Sequence, residues 1–376
     1  MKVAVARERA EGETRGAATP ETVAKLIALG ASVTIETGAG TLARIPDEDY
    51  ARAGATIAPT AEAAVSGADI VLAVRRPAAA TVSGAAKGAL VIGTLDPYGN
   101  EADIAALAGA GVTAVAMEFM PRITRAQVMD VLSSQANLAG YQAVIDAAVA
   151  FDRAFPMMMT AAGTVRPAKV FVMGAGVAGL QAIATAKRLG AVVSATDVRA
   201  AAGEQVESLG AKFIMTDALK DASGSGGYAR ELTDAEKAAQ AELTASHIAK
   251  QDVVITTALI PGRPAPKLVT RAMVESMLPG SVIVDLAAER GGNVELTQPG
   301  QVVTTPNAVT IVGYTNVPGR LATSASQLYA RNLVAFLDTL IDKKERQLAI
   351  NWDDELVKAT VLTRDGAIVH PNIKVA

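Results

Sequence analysis

Lys169–Leu189 reads KVFVMGAGVAGLQAIATAKRL, and it decides the fold. Val170–Met173 is a short apolar run of strand character. It enters Gly174-Ala175-Gly176-Val177-Ala178-Gly179, a G-x-G-x-x-G, and Leu180–Leu189 then carries apolar residues at helical spacing. Strand, glycine turn and helix in that order are the opening of a dinucleotide-binding βα unit. In such a unit Gly174 permits the tight turn, Gly176 lets backbone approach a pyrophosphate, and Gly179 lets helix pack on strand, with the helix N-terminus facing phosphate charge. The motif alone is weak, because the same glycines also make a tight turn in a domain that binds nothing. Here Asp197 ends the next strand, at the distance where an acidic residue accepts the adenosine ribose hydroxyls. Its carboxylate repels a 2′-phosphate, so NAD(H) is favoured over NADP(H), although Arg199 nearby is a residue able to accommodate such a phosphate.

Outward from this unit, strands are predicted at Val192–Ala195, Lys212–Met215, Val253–Thr257, Val282–Asp285 and Val309–Val312, completing a doubly wound domain. Toward the N-terminus, Val3–Ala6, Ser32–Glu36, Ile70–Val74, Leu90–Leu95 and Val112–Glu118 read as strands. They alternate with helical segments such as Pro20–Leu29 and Glu101–Ala108, which predicts a second parallel sheet. Leu138–Phe151 reads as a long helix, Pro156–Pro167 as a loop, Leu321–Ile341 as an amphipathic helix, and Leu356–Thr363 with Ala367–Val369 as a hairpin turning at Asp365-Gly366. Periodicity leaves open whether the final stretch returns to the first domain. The working expectation is that it does: two Rossmann-like α/β domains with a cleft between them, residues 1–135 with 315–376 and, inserted in it, residues 136–314. The glycine- and serine-rich run Ser223–Gly227 reads as a mobile loop.

At 376 residues the chain exceeds what one core usually organises. Apolar residues make up 50% of it and aromatics 3%, so its cores must be built from Ala, Val, Leu and Ile. A formal charge of −3 offers no basic field for nucleic acid. With no cysteine there is neither a disulfide nor a thiolate metal site, and the two histidines, His247 and His370, form no ligand-spaced cluster, so no metal is expected. The Met1–Arg9 start lacks the apolar stretch of a signal peptide, and no uncharged run of spanning length occurs, so the chain is not expected to cross a membrane. His247 falls on a polar helix and is expected to be solvated, and His370 to serve packing. Met157-Met158-Met159 reads as an adaptable docking surface or as a buried linker.

Residues 121–135, PRITRAQVMDVLSSQ, form a densely polar stretch following a strand end, where α/β sites form. It reads equally as a site loop or as a solvated loop capping the next helix. A dehydrogenase acting on an alcohol or amine needs a positioned acid/base, usually His or Lys. The first domain has no histidine, and Lys2, Lys25 and Lys87 are placed as surface residues. Hydride passed between two nicotinamides needs positioning and no proton exchange, which fits this absence.

With these residues in view, the chain closely resembles the NAD(H)-binding subunit, or domain I, of proton-translocating NAD(P) transhydrogenase. The likeness is strongest in Met117–Tyr141, Pro156–Thr164, Gly174–Gly210, Ile255–Gly262 and Arg364–Pro371. The resemblance implies that Arg122, Ile123, Thr124, Gln127, Asp130 and Ser133 contact the nicotinamide end of NAD(H), with Arg122, Gln127, Asp130 and Ser133 serving the transfer. It further implies nucleotide contacts at Gly174, Ala175, Gly176, Val177, Gly179, Asp197, Val198, Arg199, Gly227, Gln240 and Leu259, with the Tyr228 loop closing over them. It also implies a homodimer working with an NADP(H)-binding subunit and a membrane-spanning proton channel, held by them at the cytoplasmic face of the inner membrane. The alternative is an NAD-linked alanine dehydrogenase, a family similar in fold that uses an arginine, a lysine and a histidine. Arg15 matches the arginine, but Arg75 stands about where the lysine would be and Thr94 near the histidine position. Arg15 is therefore expected to be structural, paired with a local carboxylate.

Overall fold

A computed structural model describes residues 1–216 and 233–373. The chain divides into two compact units, Met1–Gln135 with Gly319–Ala376 and Ala136–Pro318. The first is built on six parallel strands, β1 (Lys2–Val5), β2 (Ser32–Glu36), β3 (Thr56–Ala58), β4 (Ile70–Arg75), β5 (Leu90–Thr94) and β6 (Thr113–Ala116), in spatial order β3-β2-β1-β4-β5-β6. This is a doubly wound order, with the direction of winding reversing between β1 and β4. The pleat sends alternate side chains to opposite faces, and both faces are buried, as parallel sheets require. Val3, Val5, Leu72 and Ile92 enter one core, and Ala4, Val71 and Val91 the other.

Two helices cover the first of these faces. Pro20–Ala28 begins in a capping box, the Thr19 and Thr22 side chains each bonding the other's backbone amide, with Pro20 at the first helical position where its missing amide costs nothing. Ala322–Asp338 comes from near the end of the chain and buries Tyr329, Leu333, Phe336 and Leu337. The Tyr329 hydroxyl accepts from the Thr94 amide at 2.9 Å and donates toward the carbonyls of Ala73 and Val74, tying this helix to β4 and β5.

In the second unit a short hairpin, β7 (Met158–Thr160) and β8 (Gly163–Val165), precedes a seven-stranded sheet. Its strands are β9 (Lys169–Met173), β10 (Val192–Thr196), β11 (Lys212–Phe213), β12 (Val253–Thr256), β13 (Val282–Asp285), β14 (Val302–Thr304) and β15 (Thr310–Val312), in the order β11-β10-β9-β12-β13-β15-β14. All pairs are parallel except β14 with β15. Val170 and Val172 enter one core, Phe171 and Met173 the other.

Several elements differ from the sequence reading. The helix predicted at Leu138–Phe151 runs from Val131 to Ala150, because the Asp130 carboxylate caps it seven residues earlier. The expected loop at Pro156–Pro167 contains the β7–β8 hairpin. Edge strands β3 and β14 are three residues each, too short for alternation to register. Val112–Glu118 is strand only to Ala116 and then a 3₁₀ turn. Leu356–Thr363 is not a strand: Glu355–Thr360 is a helix capped by Asp354, and the hairpin shrinks to Thr363–Arg364 with Ala367–Ile368. Its Asp365-Gly366 turn has both φ values positive, 52° and 81°. His247 is half-buried rather than solvated, its Nε2 2.8 Å from Ser194 Oγ and its ring edge-on to Phe171.

Tyr329→Phe removes the hydroxyl but little volume, leaving the Thr94 amide and a strand carbonyl without their partner. It should lower unfolding stability by about 1–3 kcal/mol, read from urea denaturation, with circular dichroism unchanged.

Candidate functional site

The glycine turn is fixed from several sides. The Gly174 amide donates to the Thr196 carbonyl at 2.8 Å and the Ala175 amide to Asp197 Oδ2 at 2.7 Å, so the turn hangs on the end of β10. Gly174 has φ of +107°, and a Cβ there would strike the Thr257 hydroxyl. A Cβ at Gly179 would run into the Gly174 carbonyl oxygen. Gly140, on the long helix, packs so closely on the Ala178 carbonyl that it too has no room for a side chain. Gly176 is different: it is exposed, has φ of −78°, and a Cβ added there meets nothing within 4 Å. It precedes the helix Val177–Arg188 and provides no side-chain cap for the helix's first amides. Two of the three fingerprint glycines, with Gly140, are thus demanded by the protein's own packing, while Gly176 leaves open backbone at a helix N-terminus that a pyrophosphate fits.

Asp197 lies just beyond β10, and Val198 beside it is exposed. Burial pushes the Asp197 carboxyl up, but bonds from the Arg199 guanidinium, the Ala175 amide and the Arg199 amide outweigh it and hold the group below its ordinary value. Gln240 Nε2 donates to Thr196 Oγ1 at 3.1 Å while its Oε1 accepts from the Thr216 amide. Leu259 is exposed on the loop after β12, a loop anchored by fully buried Asn293, which bonds Ala258 through both its carbonyl and its amide and also reaches the Pro266 carbonyl. Gly227 and Tyr228 lie outside the described residues.

In the other unit, Arg122, Ile123, Thr124, Gln127, Asp130 and Ser133 share one continuous segment: the 3₁₀ turn Thr124–Met129 with its approach and the start of the helix Val131–Ala150. Ala126 and Met129 are buried. Arg125 makes a forked pair with Asp354 and bonds Glu355, and Asn332 Nδ2 donates to the Val128 carbonyl at 2.8 Å. Held at these points, the segment leaves Arg122, Thr124 and Gln127 exposed. Asp130 accepts from both the amide and the hydroxyl of Ser133, so Ser133 is a first-turn helix residue rather than a loop residue.

At the carboxyl ends of β1, β4 and β5 the first sheet carries a polar cluster. Arg15 is buried and forked onto Glu13, with Nε and Nη2 each 2.7 Å from a carboxylate oxygen, and its Nη1 donates to Gln135 Oε1. Arg75 Nε also donates to Glu13. Burial pushes the Glu13 carboxyl up, but the Arg15 bonds and charge, with Arg75 adding to them, bring it down to about 2. Sequence reasoning missed Glu8 and Glu118. Burial pushes each up to about 7, although Glu8 accepts from the Val74 and Arg75 amides and Glu118 from those of Leu95 and Asp96.

Comparison with known proteins adds the family. The alanine dehydrogenase/PNT N-terminal domain matches residues 4–139 and the alanine dehydrogenase/PNT C-terminal domain residues 143–371. The chain belongs to the alanine dehydrogenase/PNT family. It is 56% identical to an NAD(P) transhydrogenase subunit alpha chain of Rhodospirillum rubrum, over 99% of this chain and 98% of that one. A crystal structure of a transhydrogenase from Sinorhizobium meliloti superposes with a TM-score of 0.90 at 60% identity, covering 98% of this chain and 100% of that one. An L-alanine dehydrogenase structure superposes at 0.83 with 26% identity, over 99% of this chain and 98% of that one.

Within the alanine dehydrogenase/PNT family this chain stands on the transhydrogenase side. Arg15 is locked on Glu13 as the sequence reading expected, Arg75 shares that carboxylate, and Thr94 is bonded to Tyr329. The anchors Gly140, Arg125, Asn293 and Asn332 were not singled out in the sequence, because their roles are contacts with residues distant along the chain.

Two outcomes follow from this geometry. Gly176→Ala should leave unfolding stability within about 0.5 kcal/mol, since nothing clashes, yet weaken NADH binding by titration calorimetry, while Gly179→Ala should lose fold stability as well. Glu13→Gln should cost about 3 kcal/mol at neutral pH by stranding the buried Arg15 charge. Because the folded carboxyl lies at about 2 against an ordinary 4.5, the pair's contribution is complete above pH 4.5 and is lost as pH falls toward 2. The urea-midpoint gap between wild type and variant should close across that window.

Proposed function

We propose that this chain is the NAD(H)-binding subunit of a proton-translocating NAD(P) transhydrogenase, passing hydride between its own NAD(H) and NADP(H) held by a partner subunit. The observation that carries the reading is the presence of an open Gly176 turn in one unit and, in the other, of a polar cluster whose arginines and carboxylates are already bonded within that unit. Bound NAD(H) supplies the hydride; the chain supplies position. Gly174 through Val177, with Gly179 allowing the approach, cradle the pyrophosphate, and Asp197, Val198, Gln240 and Leu259 attend the adenosine half, with Arg199 at the same subsite through its pairing with Asp197. Gln127 and Asp130 orient the nicotinamide ring, Arg122 and Ser133 hold its carboxamide end, and Ile123 and Thr124 line the approach. In this scheme no side chain exchanges a proton. That suits His247 and His370, whose ring nitrogens bond Ser194 and the Ala359 carbonyl.

No helix among the described residues is long and apolar enough to cross a membrane. The proposal assigns proton translocation to a membrane-spanning partner, which holds this chain at the cytoplasmic face of the inner membrane. A homodimer is supported by the β7–β8 hairpin, every residue of which is exposed, Met158 by 44% and Met159 by 78%. A bare two-stranded hairpin is marginal in water, and exposed methionines suit an adaptable interface. A second copy of this chain is the proposed occupant.

The deciding assay mixes the purified chain with an NADP(H)-binding transhydrogenase component and follows reduction of the acetylpyridine analogue of NAD by NADPH. Turnover should appear only with the partner present; turnover of alanine, or of pyruvate with ammonia, by the chain alone overturns the reading. Gln127→Asn should keep NADH affinity while slowing transfer by about tenfold to a hundredfold, through misplacement of the ring.

A further inference from the structure

The Asp197 carboxylate, the group expected to receive the adenosine ribose, is already saturated. Its Oδ1 accepts from the Arg199 amide at 2.8 Å and from Arg199 Nε at 3.0 Å; its Oδ2 accepts from the Ala175 amide at 2.7 Å and from Arg199 Nη2 at 3.1 Å. An ionised carboxylate has about four acceptor directions, and here four donors fill them. The donors are of two kinds. The two backbone amides belong to the glycine turn and to the chain after β10, and their bonds help form the fold. The guanidinium is held from solution: the Arg199 side chain is 59% exposed against 8% for Asp197, and its one other bond, to the Ala175 carbonyl, is long at 3.4 Å.

A guanidinium edge presents two N–H donors side by side, one to each carboxylate oxygen. A ribose 2′,3′-diol presents two O–H donors in the same relation. The two cannot occupy one carboxylate together while the amides stay in place. We propose that Arg199 is an internal stand-in for the ribose, a latch that NAD(H) must displace from Asp197 in order to bind. The latch keeps the carboxylate ionised and its acceptors satisfied between ligands, and its re-closure assists departure of the nucleotide. An ion pair whose cation stands in solvent is weak, so the latch lowers affinity modestly and never blocks the site.

This inference rests on NAD(H) binding at the glycine turn, and the experiment separates the two. The affinities of NADH, ADP and 2′,3′-dideoxy-ADP are measured for wild type, Arg199→Ala and Arg199→Met, NADH by its fluorescence and the others by displacement of it. Removing the latch should tighten NADH and ADP by about two- to fivefold in both variants, the size expected of an ion pair whose cation is solvent-exposed. Dideoxy-ADP, which has no diol to exchange for the guanidinium, should show no gain. Weaker or unchanged binding of NADH and ADP in the variants overturns the latch, as does an equal gain for dideoxy-ADP, which would mark a general charge effect. No NADH binding by wild type would instead sink the nucleotide reading. The methionine variant keeps the apolar stem, and melting curves on all three proteins show that affinities are compared between folded chains.

Discussion

Close approach of backbone to backbone around the first turn of the helix Val177–Arg188 is the constraint on which the nucleotide half of this protein depends. Gly179 lets the helix lie against the Gly174 carbonyl, and Gly140 lets the long helix lie against Ala178. Neither contact is strong as a bond. Their effect is steric: a side chain at Gly179 pushes the helix end off the strand-end turn, and one at Gly140 forces the long helix and Ala178 apart. Because the turn also hangs on Thr196 and Asp197, the direction of the helix amides is set by the sheet itself. An anion bound there meets preorganised donors rather than a loop that must first be ordered.

The two units share doubly wound sheets and use their carboxyl ends differently. In the second, the ends of β9, β10 and β12 carry exposed glycine, apolar Val198 and Leu259, and an exchangeable arginine. In the first, the equivalent edge is closed on itself: Arg15 and Arg75 on Glu13, Thr94 on Tyr329, Glu8 on two β4 amides and Glu118 on the two amides just beyond β5. A relative at 26% identity retains the architecture, so topology is not what separates chemistries in the family.

Much of the fold was legible because parallel sheets write themselves as apolar runs between turn signals. β2 and β13 coincide with the runs that predicted them, and the glycine turn was placed by its flanking strand and helix. What escaped was decided by partners far along the chain. The start of the long helix depends on whether Asp130 caps it, and the same residues read equally as a polar loop. Glu355–Thr360 contains enough β-branched and apolar residues to pass for a strand, and its helical state follows from the Asp354 cap and from Leu356 and Val357 reaching the core. For the candidate site, residue types and spacing indicated Asp197, but not that Arg199 already fills it; hydrogen-bond occupancy has no signature in spacing.

Among the three fingerprint glycines, Gly176 alone has no steric reason to be glycine in the folded chain. Substitutions at 174 and 179 would be removed by selection for folding whether or not a nucleotide is ever bound. Position 176 is guarded only by the ligand. In a lineage that kept this fold and lost its cofactor, drift would reach Gly176 first and leave its neighbours intact, so this single position distinguishes a working nucleotide site from an inherited scaffold.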